Sequence, residues 1–228
     1  MEENEKNERN IAINHKDNSL HRLDLSFLKH LDLNQYKQIH LLAYWFNDFA
    51  NYHDEEKNFD TTKIITFKRG SIIKVNLGYN IGSELGGLHY CIVLNKKDNP
   101  RNKTLNVIPL TSKKPDKKYP SSTVDLGNEI YDTLNKLYSE RKIELSQKYI
   151  DIWNMPSEEV TQFTIDFQYI EKIKNEISKM KKGSIALTEQ ITTISKQRIF
   201  YDDVLKKVYL SEESLNLLDN KIKKLFTK

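Results

Sequence analysis

The 228-residue sequence predicts an α+β fold, in which a small antiparallel β-barrel is interrupted by a helical hairpin and carries a helix at each end. Three observations lead to this prediction. Short β-rich runs separated by turn residues fill residues 68–125. Apolar residues recur at helical spacing over residues 128–182. The same helical spacing is found before the β-rich region and again at the end of the chain.

The N-terminal 60 residues are predicted to lie outside the barrel. Residues 1–19 contain few apolar and many charged residues, which is typical of a disordered acidic tail. Residues 20–60 are predicted to form a helical extension, with Asp32 or Asn34 as the helix cap. An amphipathic helix of this kind must pack on another element. Its apolar positions are Tyr36, Ile39, Ala43, Phe46 and Ala50.

Residues 61–228 are predicted to form the barrel domain. Its first strands are the runs "SIIKVNL", "YCIVLN", "TLNVIPLT" and "STVDL", and five of the seven glycines lie between Gly70 and Gly87. Short strands at close spacing with glycine-rich connections are typical of a small antiparallel barrel. The run "SIALTEQITTI" returns to β character, and Ser211 is predicted to cap the last helix.

The helical insertion into this domain spans residues 128–182 and is predicted to be a hairpin. Pro156 separates its two helices, and Ser157 is a good N-cap for the second one. Gly183 follows the second helix, where glycine commonly ends helices.

The basic charge of the chain is concentrated in one region. Residues 1–60 hold 7 Lys and Arg against 12 Asp and Glu, residues 61–120 hold 12 against 3, and residues 121–228 hold 17 against 17. A local basic surface favours an anionic partner, most commonly nucleic acid. A lysine-rich solvated surface without a partner is the alternative.

Composition excludes several other classes. No run of about 18 apolar residues is present, so no membrane span is predicted. The polar N-terminus does not resemble a secretory signal, and a cytoplasmic location is expected. Cys91 is the only cysteine, which excludes an internal disulfide. Histidines and carboxylates do not cluster at ligand spacing, so neither a metal ion nor a cofactor is predicted.

A glycine-rich stretch, "NIGSELGGLHYCIVL", is the first candidate site. Glycines let a ligand approach backbone N–H groups closely, while Ser83 and Glu84 supply a hydroxyl and a carboxylate. No helix follows, so the dinucleotide-binding and P-loop interpretations are excluded. A plain hairpin connection between two strands is the alternative.

His89 stands where the glycines end, and it is the only histidine after His53. Histidine can take and give a proton near neutral pH, which suits phosphodiester cleavage. The alternative is a half-buried histidine bonded to a backbone carbonyl. Thr111 and Ser112 end the third strand, and their hydroxyls beside lysines suit a phosphate oxygen. Ordinary strand-end capping is the alternative for this pair.

Two separated segments resemble one known family. Arg69-Gly70 and Gly82-Ser83-Glu84-x-Gly86-Gly87 resemble the first hairpin of the MazF/PemK-type toxins, and the third strand ends in Thr111-Ser112 as in that family. Downstream, "SIALTEQITTISKQRI" resembles the family's Leu-x-Glu-Gln-Ile-Arg-Thr-Ile-Asp-Lys-Gln-Arg-Leu segment. The order of the two matches makes the resemblance specific.

The resemblance implies an SH3-like barrel that acts as a metal-independent endoribonuclease of a type II toxin–antitoxin system. It implies cleavage of single-stranded RNA at short sequences, a homodimer, and a small antitoxin that blocks the RNA groove. Operator DNA is expected as a partner only through the antitoxin. The predicted catalytic residues are His89, Thr111, Ser112 and Glu84, and the predicted RNA-binding residues are Arg69, Ser83, Gly86, Gly87, Lys113 and Lys114.

The departures from the family concern the site and the size of the chain. His89 replaces the family's catalytic arginine, and Tyr90 replaces the proline after it. An arginine provides a permanent charge and a fork for phosphate, whereas a histidine provides a titratable proton. His89 is therefore predicted to act as general acid or base, with Thr111 and nearby lysines stabilising the phosphorane charge.

Two other interpretations stay open. In the first, loss of the arginine has weakened or abolished cleavage, which leaves a barrel that binds RNA or an antitoxin. In the second, the chain is a structural or interaction protein built around its added helices. Residues 1–60 and the insertion 128–182 are both additional to the family pattern.

Overall fold

The computed structural model divides the chain into two compact units, Met1–Glu55 and Glu56–Lys228. Five α-helices and seven β-strands lie within the described residues. The structure describes residues 2–149, 155–180, 183–201 and 203–227. The division into predicted domains stays a prediction, and residues 150–154 and 181–182 of the predicted insertion lie outside the described part of the chain.

The first unit is a pair of helices, α1 (Glu2–Asp32) and α2 (Tyr36–Glu55). Asn34 makes the turn between them with a φ of 57°, a left-handed conformation that asparagine tolerates. The rings of Phe27 and Phe46 lie 5.9 Å apart and join the two helices. The structure differs from the expected disordered tail, because residues 2–19 belong to α1. A helix extends readily from a turn that is already formed, which accounts for the continuation.

The second unit contains one sheet in which all the paired strands are antiparallel. The strand order is β4-β5-β3-β2-β1-β7, and β6 pairs with the first half of β3. The strands are β1 (Ile72–Asn76), β2 (Leu88–Val93), β3 (Thr104–Ser112), β4 (Val124–Asp125), β5 (Ser184–Ala186), β6 (Thr192–Ser195) and β7 (Ile199–Phe200).

The predicted α+β class is confirmed, but the expected closure of the barrel is wrong for the described strands. β4 and β7 stand at opposite ends of the strand path and are two residues long each. Such short strands offer few backbone groups for a closing ladder. The SH3-like character of the sheet stays a prediction.

The two faces of the sheet belong to different apolar clusters, because side chains alternate along each strand. On one face, Val75 and Cys91 form an apolar cluster with Leu105 of β3 and Ile194 of β6. The other face, with Ile92, packs against the remaining helices. These helices are α3 (Glu129–Lys148), α4 (Ser157–Lys179) and α5 (Glu212–Phe226).

The helices of the second unit follow the sequence pattern, except that Ser157 is the first residue of α4 and Pro156, not Ser157, is its N-cap. α3 and α4 pack against each other as the predicted hairpin. The Ser211 side chain accepts a hydrogen bond from the Ser214 amide and caps α5 as predicted. Among the described helices, none is long and apolar enough to cross a membrane.

Candidate functional site

The glycine-rich stretch forms a closed connection between β1 and β2. The Leu77 amide donates to the Gly87 carbonyl at 2.8 Å, and the Gly87 amide donates to the Gly78 carbonyl at 2.6 Å. Inside the loop, the Asn80 side-chain amide donates to the Leu85 carbonyl at 2.8 Å. The stretch is therefore a hairpin connection between two strands, which was the alternative interpretation of the sequence. These hydrogen bonds fix the backbone conformation of the loop.

Gly86 is the position in this loop where a side chain fits least. A Cβ atom built there lies 2.6 Å from the Gly78 carbonyl oxygen, closer than a real Cβ atom approaches backbone. Gly86→Ala is therefore expected to displace the loop and lower the free energy of unfolding by about 1–3 kcal/mol, the usual cost of overpacking. Denaturant unfolding measures this loss.

Gly82 provides the matched control for that substitution. Its φ is 62°, and a Cβ atom built there meets nothing within 4 Å. Asparagine tolerates this left-handed conformation, so we expect Gly82→Asn to change the stability little. Equal stabilities of Gly86→Ala and Gly82→Asn would contradict the steric argument.

Gln190 joins the glycine loop to a distant part of the chain. Its side-chain oxygen accepts from the Leu85 amide at 2.7 Å, and its side-chain nitrogen donates to the Ser83 carbonyl at 3.2 Å. Gln190 ends the 3₁₀ turn Thr188–Gln190 between β5 and β6. The sequence placed Gln190 in the downstream family-like segment but gave it no role at the site. In the structure it positions the loop.

His89 and Thr111 lie near the ends of neighbouring strands. The β2–β3 pairs end at Cys91 with Pro109, two residues after His89 on β2 and two before Thr111 on β3, and Thr111 itself pairs with Ile185 of β5. His89 Nδ1 lies 3.0 Å from the Leu110 carbonyl oxygen, which keeps the strands adjacent at this level. The paired residues Cys91 and Pro109 share one face of the sheet. The His89 and Thr111 side chains are both half-buried.

The contact to Leu110 also orients the His89 ring. A carbonyl oxygen only accepts, so Nδ1 carries the hydrogen in this arrangement and donates it. The interpretation of His89 as a histidine bonded to backbone is thus realised. Nε2, the other ring nitrogen, takes no part in this hydrogen bond. A fixed ring is compatible with a role in proton transfer.

A cleft of about 410 Å³ lies on the same face of the sheet. Pro109 lines the cleft and lies two residues before Thr111 on β3, so the two residues share one face of the sheet. Leu77 also lines the cleft and lies two residues beyond Val75, which pairs with His89 in the β1–β2 register. The charged groups of the cleft are the Glu84 and Glu189 carboxylates and the Arg198 guanidinium. The full lining is Leu77, Asn80, Glu84, Leu85, Pro109, Glu189, Gln190, Ile191, Thr192, Ile194 and Arg198.

Arg198 is the positively charged residue of the cleft, and the sequence analysis assigned it no role. Its Nε donates to the Asn76 carbonyl at 2.7 Å, which fixes the guanidinium at the end of β1. Arg198 and Glu189 both belong to the downstream family-like segment, and that match was the signal that would have found them.

The basic loop after β3 is organised by one tyrosine. The Tyr119 hydroxyl donates to the Ser112 carbonyl at 3.0 Å and accepts from the Lys114 amide at 2.9 Å. Lys113 donates to Asp125 at 2.6 Å, and this hydrogen bond holds the pKa of the Asp125 carboxyl below its usual range. The charge of Lys113 is therefore already partnered, whereas Lys114 is held next to the end of β3.

Arg69 is placed apart from the glycine loop. Its guanidinium donates to the Leu94 carbonyl at 2.5 Å and pairs with Asp219 of α5. These contacts tie the start of β1 to the C-terminal helix. The predicted part of Arg69 in RNA binding stays a prediction, and so do the roles of Ser83, Gly86 and Gly87.

α4 contacts the back of the strand that carries His89. Glu176 of α4 is 3% exposed, accepts from Lys74 at 2.8 Å and also accepts from the Tyr90 hydroxyl. Lys74 and Tyr90 are direct partners in the β1–β2 register. Tyr90 thus links β2 to α4 on the face opposite His89.

We expect Glu176→Gln to lower the free energy of unfolding at pH 7 by about 1.5–3 kcal/mol, the value of a hydrogen bond to a charged group. Burial acts to raise the pKa of Glu176, but hydrogen bonds from Lys74 and Tyr90 bring it below its ordinary 4.5. A lowered pKa gives stability that is present above pH 4.5 and is lost as the pH falls through the folded value. The deficit of the variant should therefore shrink in acid.

Urea unfolding at pH 7 and at acidic pH measures this deficit. Glu171→Gln on the same helix is the control, since its pair with Lys174 is exposed and 3.5 Å long. Exposed pairs contribute about 0–1 kcal/mol. A deficit of Glu176→Gln that stays constant with pH would contradict the ionic role of Glu176.

The segment around the glycine loop matches a known protein family. Residues 68–151 match the family described as PemK-like, MazF-like toxin of type II toxin-antitoxin system. The predicted resemblance is confirmed over this segment, which matches the PemK/MazF-like toxin family. No curated protein matches the chain.

The matched segment contains the glycine loop, His89 and Thr111. Toxins of this family are generally RNA endonucleases that partner with antitoxins. The downstream segment 184–199 lies outside the match, and its resemblance to the family stays a prediction. Within the described residues, no three His, Cys, Asp or Glu side chains come together as a set that could hold a metal ion.

Proposed function

We propose that this chain is the toxin of a type II toxin–antitoxin system and cuts single-stranded mRNA at short sequences without a metal ion. The contact of His89, at the end of the glycine loop, with the Leu110 carbonyl, one residue before Thr111, supports this proposal. The family match over residues 68–151 also supports it, because His89 and Thr111 lie inside the matched segment.

In the proposed reaction the RNA supplies its own nucleophile. The 2′-hydroxyl loses its proton and attacks the adjacent phosphorus, and the bond to the 5′-oxygen breaks as that oxygen takes up a proton. His89 Nε2 performs one of these two proton transfers, while Nδ1 is held by Leu110. The products are a 2′,3′-cyclic phosphate and a free 5′-hydroxyl.

Charge develops on the non-bridging phosphate oxygens during this attack. The Thr111 hydroxyl donates a hydrogen bond to one of them, and hydroxyls at strand ends are frequent phosphate partners. Arg198 in the adjacent cleft supplies the permanent positive charge that His89 lacks. Lys114 and Ser112, beside Thr111, contact the neighbouring phosphate.

Base recognition is assigned to the adjacent cleft. The carboxylates of Glu84 and Glu189 accept hydrogen bonds from exocyclic amino groups, which differ from base to base. Unstacked bases of single-stranded RNA present these groups, whereas a double helix conceals them. The volume of about 410 Å³ suits one base and its sugar.

A panel of single-stranded and double-stranded RNAs, each with and without a chelator, tests the proposal. We expect cleavage of single strands only, unaffected by the chelator, with cyclic phosphate ends. Thr111→Ala should slow cleavage by about 10²-fold, the loss typical of one oxyanion donor. Thr164→Ala on α4, whose hydroxyl bonds only to the Val160 carbonyl, is the matched control.

A second candidate function is a sheet domain that binds RNA or the antitoxin and does not cleave. The replacement of the family's arginine by His89 favours it, because imidazole offers no fork for phosphate. RNA that is retained by the protein but stays intact would support this function. The proposed place of action is the cytoplasm. The proposed partners are an antitoxin and a second copy of the chain in a homodimer, with operator DNA bound only through the antitoxin.

A further inference from the structure

Lysines from two separate elements come together beyond the end of β3. The loop after β3, residues 113–118, has four lysines and one aspartate. The C-terminal half of α5 adds Lys221, Lys223 and Lys224. The two elements are joined where the Lys221 ammonium donates to the Ser121 carbonyl at 2.5 Å. Two stretches that are distant in the sequence thus form one basic surface.

Most of these charges have no acidic partner. Lys113 is the exception, because it pairs with Asp125 at 2.6 Å. Lys221 and Lys224 lie three residues apart on α5, an arrangement in which like charges repel each other. We define the lysine surface as the cations of this region that form no ion pair with the described residues and lie in the loop or on this face of α5: Lys114, Lys117, Lys118, Lys221 and Lys224.

The lysine surface begins at the strand that carries Thr111. The Tyr119 hydroxyl donates to the Ser112 carbonyl at 3.0 Å and accepts from the Lys114 amide at 2.9 Å. The Lys117 ammonium lies 5.2 Å from the centroid of the Tyr119 ring. Tyr119 therefore folds the loop back onto the end of β3, which keeps Lys114 and Lys117 close to that strand end.

A row of cations that starts at a strand end and continues onto a helix is suited to an extended polyanion. Proteins that hold single-stranded nucleic acid use a positively charged groove that follows the backbone. Phosphates beyond the cleaved bond would also relieve the repulsion between neighbouring lysines, since each phosphate brings a negative charge.

We infer that the lysine surface binds the phosphates of the RNA strand beyond the cleaved bond, so that the RNA continues from Thr111 across the loop to α5. Phosphate contacts position a strand without selecting its sequence. The inference rests on the proposed function, in which single-stranded RNA reacts beside His89. An acidic protein is the competing occupant, and the continuity of the surface with the strand end that carries Thr111 favours RNA.

The salt dependence of RNA binding by the full chain tests this inference. The probe is a fluorescent single strand of about sixteen nucleotides with 2′-O-methyl sugars, which lack the attacking hydroxyl. The variants are Lys117→Ala with Lys118→Ala, and Lys221→Ala with Lys224→Ala. Each pair should weaken binding several-fold at low salt and lower the slope of log Kd against log salt by about 1.4, because one phosphate contact to a single strand contributes about 0.7.

Lys142→Ala with Lys172→Ala is the matched control, since it removes two exposed lysines from α3 and α4. Its salt slope should equal that of the wild type. A strand of about four nucleotides fills only the cleavage site, so the two lysine-surface pairs should bind it as the wild type does. With cleavable RNA of the longer length, these pairs should raise KM and leave kcat unchanged, because the substituted lysines do not touch the reacting phosphate.

Wild-type salt slopes in both lysine-surface pairs would overturn the inference, and this is the result expected if an acidic protein occupies the surface. A loss of affinity on the short strand as large as that on the long strand would also overturn it. Binding of the methylated strand does not depend on cleavage. RNA that is bound with the expected slopes and stays intact without methylation would therefore refute the proposed cleavage and leave the lysine surface in place.

Discussion

The His89→Ala variant is expected to cleave single-stranded RNA about 10²–10⁴-fold more slowly than the wild type, the usual contribution of a positioned acid or base. His89 lies inside the segment that matches the toxin family, and its ring is oriented by the Leu110 carbonyl. Alanine removes both the proton carrier and that contact. Initial rates with a fluorescent RNA substrate measure the loss.

Two further variants separate proton transfer from charge. His89→Arg restores the family's residue, whose guanidinium stays charged at all accessible pH values. We expect this variant to stay nearly as slow as His89→Ala, because a guanidinium does not give up its proton and cannot act as acid or base. His15→Ala, on an exposed turn of α1, is the control. Wild-type rates in His89→Ala would remove His89 from the mechanism.

The strands could be predicted because each carries its own signal. Alternating apolar residues and the turn residues between them identify β1, β2 and β3 from the local sequence alone. Apolar residues at helical spacing likewise identified α2, α3 and α4. Disorder at residues 1–19 was expected from composition, but composition does not register that a helix can extend from a packed neighbouring turn.

The site could be predicted only in part, because its geometry depends on contacts between distant residues. Gln190 and Leu85 are 105 residues apart, and Glu176 and Tyr90 are 86 apart. Arg69 was expected at the RNA, and its partner Asp219 lies 150 residues away. No local pattern reports such pairs. The contact of His89 with the Leu110 carbonyl likewise depends on strand register, which tertiary packing sets.

The ion pair between Lys196 and Asp98 shows how the downstream segment holds the site together. Both side chains are fully buried, and Lys196 Nζ lies 2.8 Å from Asp98. Lys196 also donates to the Asn99 carbonyl at 3.2 Å, and Asp98 accepts from the Phe67 amide at 3.0 Å. Three segments meet at this pair: the entry to β1, the β2–β3 loop, and the turn before β7.

Lys196→Met is therefore expected to lower the free energy of unfolding by about 3–5 kcal/mol, because it leaves the Asp98 carboxylate buried without its cation. Folded domains have about 5–15 kcal/mol in total, so the loss is a large fraction of the stability. Lys206→Met is the matched control, since its pair with Asp203 is exposed and such pairs contribute about 0–1 kcal/mol. Denaturant unfolding followed by circular dichroism compares the two.

The double variant Lys196→Met with Asp98→Asn identifies the cause of the loss. If the cost comes from the stranded carboxylate, removing that charge should recover part of the stability, because a neutral amide is cheaper to bury than an ion. If the cost comes only from lost packing of the lysine chain, the double variant should be no more stable than the single one. Arg198 lies two residues beyond Lys196 and lines the cleft. Loss of the buried pair should therefore also slow RNA cleavage, whereas Lys206→Met should leave it unchanged.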